Sequence, residues 1–298
     1  MNLFPVNPIG NMSSRNLTNS RNLQIAFQIV ILLAAFTILF GTAITKLIQD
    51  WAENSNYSHG FLIPFISIYM IWHKRSQLIE FPLKPSAVGL LVIIFGMIVF
   101  IIGNVAAELF TMRIAIVITI VGLCTYFLGI RVTIAIAVPL SYLLFMVPLP
   151  AIIWNKIAFP LQLLAAKLSS NIIQFMGIPL LREGNVLHLP NITLEVIDAC
   201  SGLRSLISLL SLSAAFAYVV KITIVSKWFL FISAIPIAII VNIFRLASTA
   251  ILAVYVGPET AHGFLHDLSG IIVFITAFAM FYGLYAAIQR IETRATMK

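Results

Sequence analysis

The chain has 298 residues, 61% of them hydrophobic and 9% charged, with 22 Phe and a mean hydropathy of +1.05. Soluble domains run at roughly 45 to 50% apolar and about 25% charged residues, so a water-soluble globule is excluded and an all-α polytopic membrane protein is expected. The net charge of +8 does not point to nucleic acid, because the 18 Lys and Arg are scattered through short loops between apolar runs instead of clustering on one face.

Residues 1–23, rich in Asn and Ser and carrying Arg15 and Arg21, read as a cytoplasmic tail. Apolar runs follow at Gln24–Thr45, Tyr57–Trp72, Ala87–Ala107, Met112–Leu128, Val132–Val147, Ser201–Val220, Trp228–Val256 and Leu268–Ile288. These predict about eight transmembrane helices in one domain spanning 1–298. A ninth run, Ile157–Met176, is interrupted by Gln162, Lys167, Ser169, Ser170, Asn171 and Gln174, the pattern of an amphipathic helix lying at the membrane surface. Charge sidedness agrees with that reading. With eight spans the inner loops collect eleven basic residues, Lys74, Arg75, Lys84, Arg131, Lys221 and Lys227 among them. Five fall outside: Lys46, Arg113, Lys156, Lys167 and Arg182. If Ile157–Met176 also crossed, the bias would vanish.

Residues 149–199 then form one external segment. Its end, "NVLHLP" followed by "ITLEVID", is rich in β-branched residues around Pro190 and Asn191, which predicts a small hairpin. The hairpin runs into "DACSGLRSL", so Cys200 stands at the N-terminus of a predicted span. There the helix dipole and free N–H groups favour thiolate over thiol, the condition for a nucleophile. Arg204, four residues on, can face the same side.

In the seventh run, "VNIFRLAS" places Asn242 and Arg245 three apart on one helical face. An arginine inside a span is costly, about 2.5 to 3.5 kcal/mol on insertion scales, and marks a functional site by default. "ETAHGFLHDLSG" supplies His262 and His266 before the last run, and "NYSHGF" supplies His59 before the second. Histidine exchanges protons near neutral pH, so each is a candidate base for Cys200. The His262 and His266 pair, in HGFLH, lacks the Glu of the HExxH motif of a metalloprotease, so neither a metal nor another cofactor is expected. Cys with His makes a nucleophile and base, and a fixed Arg can hold the oxyanion of an acyl intermediate. The alternative is a transporter or channel with Arg245 lining the path; inverted repeats would mark that class, and none is visible in the sequence.

Taken together and in order, "YSHGFLIPFISIYMIWHKR", "ACSGLRSL", "NIFRLA" and "HDLSG" resemble the exosortase branch of the exosortase and archaeosortase family over nearly the whole chain. The resemblance implies a membrane cysteine protease or transpeptidase in the cytoplasmic membrane of a bacterium, with its active site on the outer face. It implies substrates that are membrane-anchored proteins bearing a C-terminal Pro-Glu-Pro signal, a single span and a basic tail. It also implies that Cys200 is the nucleophile, Arg245 the arginine of the N-x-x-R motif, and His266, in preference to His262, the third catalytic residue.

Overall fold

In the computed structural model, residues 9–196, 202–257 and 264–296 are described, with side chains over 26–196, 202–257 and 270–295. The chain divides into two units, residues 1–47 and 48–298. Helix α1 (Ile9–Glu53) supplies the first as far as Leu47, and its residues Ala26–Glu53 are long and apolar enough to cross a membrane. Within it the hydroxyls of Thr37 and Thr45 donate to the carbonyls of Leu33 and Gly41 one turn back, which keeps these polar groups satisfied where lipid offers no partner.

The second unit opens on the last turns of α1 and a 3-10 turn at Ser58–Phe61. Two short helices follow, α2 (Ile63–His73) and α3 (Arg75–Ile79), then the long pair α4 (Val88–Val105) and α5 (Leu109–Leu128). Next come α6 (Ile130–Ala135), α7 (Ala137–Tyr142), a second 3-10 turn (Leu143–Met146) and α8 (Ala151–Phe175). A small sheet leads to α9 (Leu203–Val219), α10 (Ile224–Tyr255) and α11 (Phe264–Thr296).

Among the described residues five helices are long and apolar enough to cross a membrane, or six if α7 and its following turn are joined to α8 across an 83° bend. The expected eight is reached only by adding shorter elements. The predicted span at Tyr57–Trp72 is the 3-10 turn plus α2, whose 11 residues reach only about 16 Å of a roughly 30 Å hydrocarbon core. The predicted span at Ser201–Val220 is α9, with 17 residues. The run Val132–Val147 is broken at Ile136, where φ is −104° and ψ is 16°. Pro139 accounts for the break: it has no N–H for the carbonyl of Ala135, and proline is best accommodated in a first helical turn, so α7 restarts just before it. The 83° bend falls at Val147–Pro150, where Pro148 and Pro150 hold the chain extended.

Helices α4 and α5 pack closely along their length. Gly89, Gly96 and Gly103 recur every seventh residue on α4, and a Cβ at Gly96 would lie 2.5 Å from Thr119 Oγ1, one at Gly103 2.9 Å from the Met112 nitrogen. Gly122 of α5 is equally tight, 2.8 Å from the Ile93 nitrogen. Lipid supplies no hydrophobic drive between spans, so small residues that let backbones approach take over that role. Gly96→Ile should therefore overpack the pair, at about 1 to 3 kcal/mol, and lower the membrane level of the protein on immunoblotting. Gly270→Ala, with open space around it, should leave that level unchanged.

Helix α8 is amphipathic as expected, but its polar and small face is not turned to water. Trp154, Ala158, Gln162, Ala165, Ala166, Ser169, Ser170 and Ile173 are buried at helical spacing, while Lys156 and Lys167 are exposed. The buried face meets α10, with the Ser169 hydroxyl donating to the Ile243 carbonyl at 3.1 Å. The sheet caps this contact. Strands β1 (Leu181–Glu183), β2 (Val186–His188) and β3 (Thr193–Glu195) run antiparallel in sequence order. The hairpin segments of the sequence are β2 and β3, and β1 adds a third strand through Gly184, whose φ of +63° suits the tight turn. Leu187, Leu189, Leu194 and Val196 bury their side chains with Ala165, Ala166 and Ile173 of α8 and with Ile243, Leu246, Ala247 and Ala250 of α10. On the opposite face His188 lies 3.3 Å from Glu183 and 3.2 Å from Thr193. The sheet thus seats the chain on α10 immediately before the segment that carries Cys200.

Candidate functional site

Helix α9 begins at Leu203 behind Gly202, which is left-handed at φ +80° and caps the helix N-terminus. Only glycine takes that conformation without cost. Gly202 has a second constraint: a Cβ there would stand 2.8 Å from both Cγ and Nδ2 of Asn242. Asn242 is 2% exposed and occupies the middle of α10, so its amide is pressed against the backbone at the mouth of α9. Arg245, half-buried, is three residues further on the same face. The Asn-x-x-Arg pattern of α10 therefore meets the mouth of α9 at Gly202, through Asn242. Gly202→Ala should combine a left-handed strain of about 1 to 2 kcal/mol with a steric clash. Substrate processing, followed by gel mobility, should fall at least tenfold per mole of protein, a difference of about 1.4 kcal/mol.

The "NYSHGF" stretch meets the same helix end. Arg204 Nε donates to Asn56 Oδ1 at 2.9 Å, which fixes the first turn of α9 to the loop after α1. Tyr57 and Trp154 make an edge contact at 5.3 Å, and both pack on Leu203 with Ala158. Gly60 lies flat against the indole of Trp51, with no room for a Cβ, and the Trp51 Nε1 donates to the Met146 carbonyl at 2.9 Å. His59 sits between these contacts. Burial pulls its pKa below the ordinary 6.5, against a smaller opposite pull from the Phe145 carbonyl, so the ring is neutral at pH 7 and its buried Nδ1 makes no hydrogen bond.

Beside this junction a cavity of about 400 Å³ opens between the end of α1, the α4–α5 turn and the bend before α8. Its lining mixes uncharged polar groups, Asn54, Asn56, Tyr57 and Asn155, with apolar ones that include Phe110, Leu149 and Trp154. Three charges border it: Asp50, Glu108 and Arg113. Glu108 caps α5, accepting from the backbone N–H groups of Phe110 at 3.1 Å and Thr111 at 2.6 Å. Burial raises its pKa, but hydrogen bonds to Thr111 and Phe110 together with Arg113 outweigh burial and hold the carboxyl below its usual 4.5. Burial pushes the Tyr57 phenol up to about 12, the Leu149 backbone and Arg113 opposing it and Asp50 adding to it, so Tyr57 remains a hydroxyl donor.

Arg113 is a correction to the sequence reading, which set it among the outer loop charges. It is 3% exposed, inside the first turns of α5, with Nη2 2.7 Å from Asp50 Oδ2. That contact is an ion pair, and Nε has no hydrogen-bond partner. Cys200 and His262 lie outside the described residues, and His266 falls in the first turn of α11 with its side chain outside them. The second cysteine, Cys124, is half-buried in α5. Among the described residues no three His, Cys, Asp or Glu side chains gather as a metal site would require.

The described architecture is that of a multi-pass, all-α membrane protein whose polar motif residues converge at the mouth of one short helix. The chain matches the model of the transmembrane exosortase over residues 51–283 and belongs to that family. Membership makes it by class a membrane sorting protease or transpeptidase acting on membrane-associated proteins with sorting signals. No curated protein and no solved structure matches it.

Proposed function

We propose that the chain is a cysteine endopeptidase or transpeptidase that cuts C-terminal Pro-Glu-Pro sorting signals at the outer face of a bacterial cytoplasmic membrane. The observation that supports this reading is the seating of Asn242 on Gly202, which brings the helix that carries Arg245 to a residue two positions after Cys200 in the sequence. In the proposed reaction the Cys200 thiolate attacks the carbonyl carbon of the scissile peptide. Arg245 donates to the oxyanion as the tetrahedral intermediate forms. His266, protonated by the thiol, passes that proton to the leaving amine as the C–N bond breaks, and the substrate's anchor span departs. A thioester remains on Cys200. Water or an acceptor amine attacks it, His266 takes the proton from the nucleophile and returns it to sulfur, and the enzyme is restored.

The distribution of charge supports this sidedness. The basic loops assigned to the inner side touch one another: Lys74 lies 4.7 Å over the Tyr218 ring, Lys227 Nζ is 3.4 Å from the Tyr218 carbonyl, and Glu292 accepts from Thr223 and Ser226. Single cysteines placed at Asn191 in the bend between β2 and β3, and at Ser76 and Thr293 near those basic loops, are exposed reporters. In a background without native cysteines, Asn191→Cys should react with a membrane-impermeant maleimide on intact cells. Ser76→Cys and Thr293→Cys should react only after permeabilisation. The reverse pattern would remove the site from the compartment of exported substrates.

A further inference from the structure

The cavity beside α9 contains an unspent resource. Arg113 is almost wholly buried, and its Nε and Nη2 donors, the side-on edge of the guanidinium, make no hydrogen bond. Buried donors left unsatisfied are costly, and they point to an acceptor that completes the site when it arrives. The neighbourhood limits what that acceptor can be. Asp50 and Glu108 set two carboxylates against one guanidinium, so a further anion, whether an acidic side chain or a lipid phosphate, meets net negative charge. The remaining polar groups are amides and a phenol, from Asn54, Asn56, Asn155 and Tyr57, which match peptide groups in both donor and acceptor sense. Asn56 lines the cavity and accepts from Arg204, and Trp154 lines it and packs on Leu203, so two of its walls belong to the contacts that fix the start of α9.

We infer that this cavity is a subsite for an extended segment of the peptide substrate, with a main-chain carbonyl of that segment accepting from Arg113. The assignment rests on the protease reading above and adds to it the place where substrate binds. Asp50 holds the Arg113 charge in position from the Nη2 side and leaves Nε to donate, and Tyr57, kept as a phenol, donates alongside it. Arg113 is thus a substrate-binding residue.

The test uses the full-length chain in membrane vesicles and a synthetic peptide bearing a Pro-Glu-Pro signal, an apolar span and a basic tail. A photoreactive residue replacing Leu149, in a Cys200→Ala background, should crosslink to this peptide, and one replacing Ile79 in the remote α3 should not. With Cys200 intact, Arg113→Gln should raise the half-saturating peptide concentration roughly tenfold, the loss expected for a charged hydrogen bond, with the maximal rate little changed. Exchanging the signal's Glu for Gln should leave that ratio as it was. Absence of a Leu149 crosslink, its capture by phospholipid alone, or a dependence on Arg113 that disappears with the Gln peptide would each overturn the inference. Should Arg113→Gln fail to accumulate, the crosslink decides alone. Crosslinking without any cleavage by the unmodified chain would sink the protease reading and leave the subsite standing; cleavage without crosslinking would do the opposite.

Discussion

Cys200→Ala should abolish processing of a signal-bearing substrate, whereas Cys124→Ala should process it at the normal rate. The two thiols occupy opposite environments. Cys124 lies inside the apolar helix α5, where nothing stabilises a thiolate. Cys200 stands in sequence two residues before Gly202, the cap of α9, where unpaired N–H groups and the positive end of the helix dipole lower a thiol pKa. Removing a nucleophile that acts with its base typically costs about 10⁶-fold in rate, so substrate should stay full-length at ordinary enzyme levels. Normal processing by Cys200→Ala would end the cysteine mechanism.

Arg245→Lys and Arg245→Ala should both insert and accumulate, yet process substrate about 100 to 1,000-fold more slowly, the usual loss for one oxyanion donor. Lysine is no substitute here, because it lacks the planar fork of donors and sheds its proton when buried, while arginine does neither. The neighbours Ile243, Leu246 and Ala247 bear the packing of α10 on the sheet and α8, so the helix keeps its seat in either variant. An arginine with a purely structural role gives the other result, in which protein level falls and specific activity does not. Activity of Arg245→Ala equal to wild type, per mole of folded protein, would leave Cys200 and His266 as a dyad.

What could be read from the sequence followed the physics that acts locally. The runs that became α4, α5, α10 and α11 announced themselves by length and apolarity, and Asn242 with Arg245 shared a face because three residues nearly complete one helical turn. The run Val132–Val147 misled because hydropathy is blind to a proline: Pro139 is apolar yet divides the run at Ile136. The amphipathic character of α8 was legible, but amphipathicity alone does not say whether a polar face meets water or another helix. Its small buried residues, Ala158, Ala165, Ala166, Ser169 and Ser170, were the signal for a helix partner. The spacing of Gly89, Gly96 and Gly103 was a similar unread signal for the α4–α5 pair. Arg113 was hidden for a different reason. Its partner Asp50 is distant in the chain, and a charge one turn inside a span looks the same as one in the loop beside it.

The covalent step is the centre of the account, and it has a direct chemical reporter. A thioester on Cys200 is open to any strong nucleophile, so hydroxylamine should compete with water or the acceptor amine for the acyl group. The measurement is mass spectrometry of the substrate's new C-terminus, with and without hydroxylamine, in membranes containing the chain. The account predicts a C-terminal hydroxamate at the cleavage position when hydroxylamine is present, and no cleavage at all with Cys200→Ala. A carboxylate terminus that hydroxylamine never diverts, formed equally by wild type and Cys200→Ala, would contradict it.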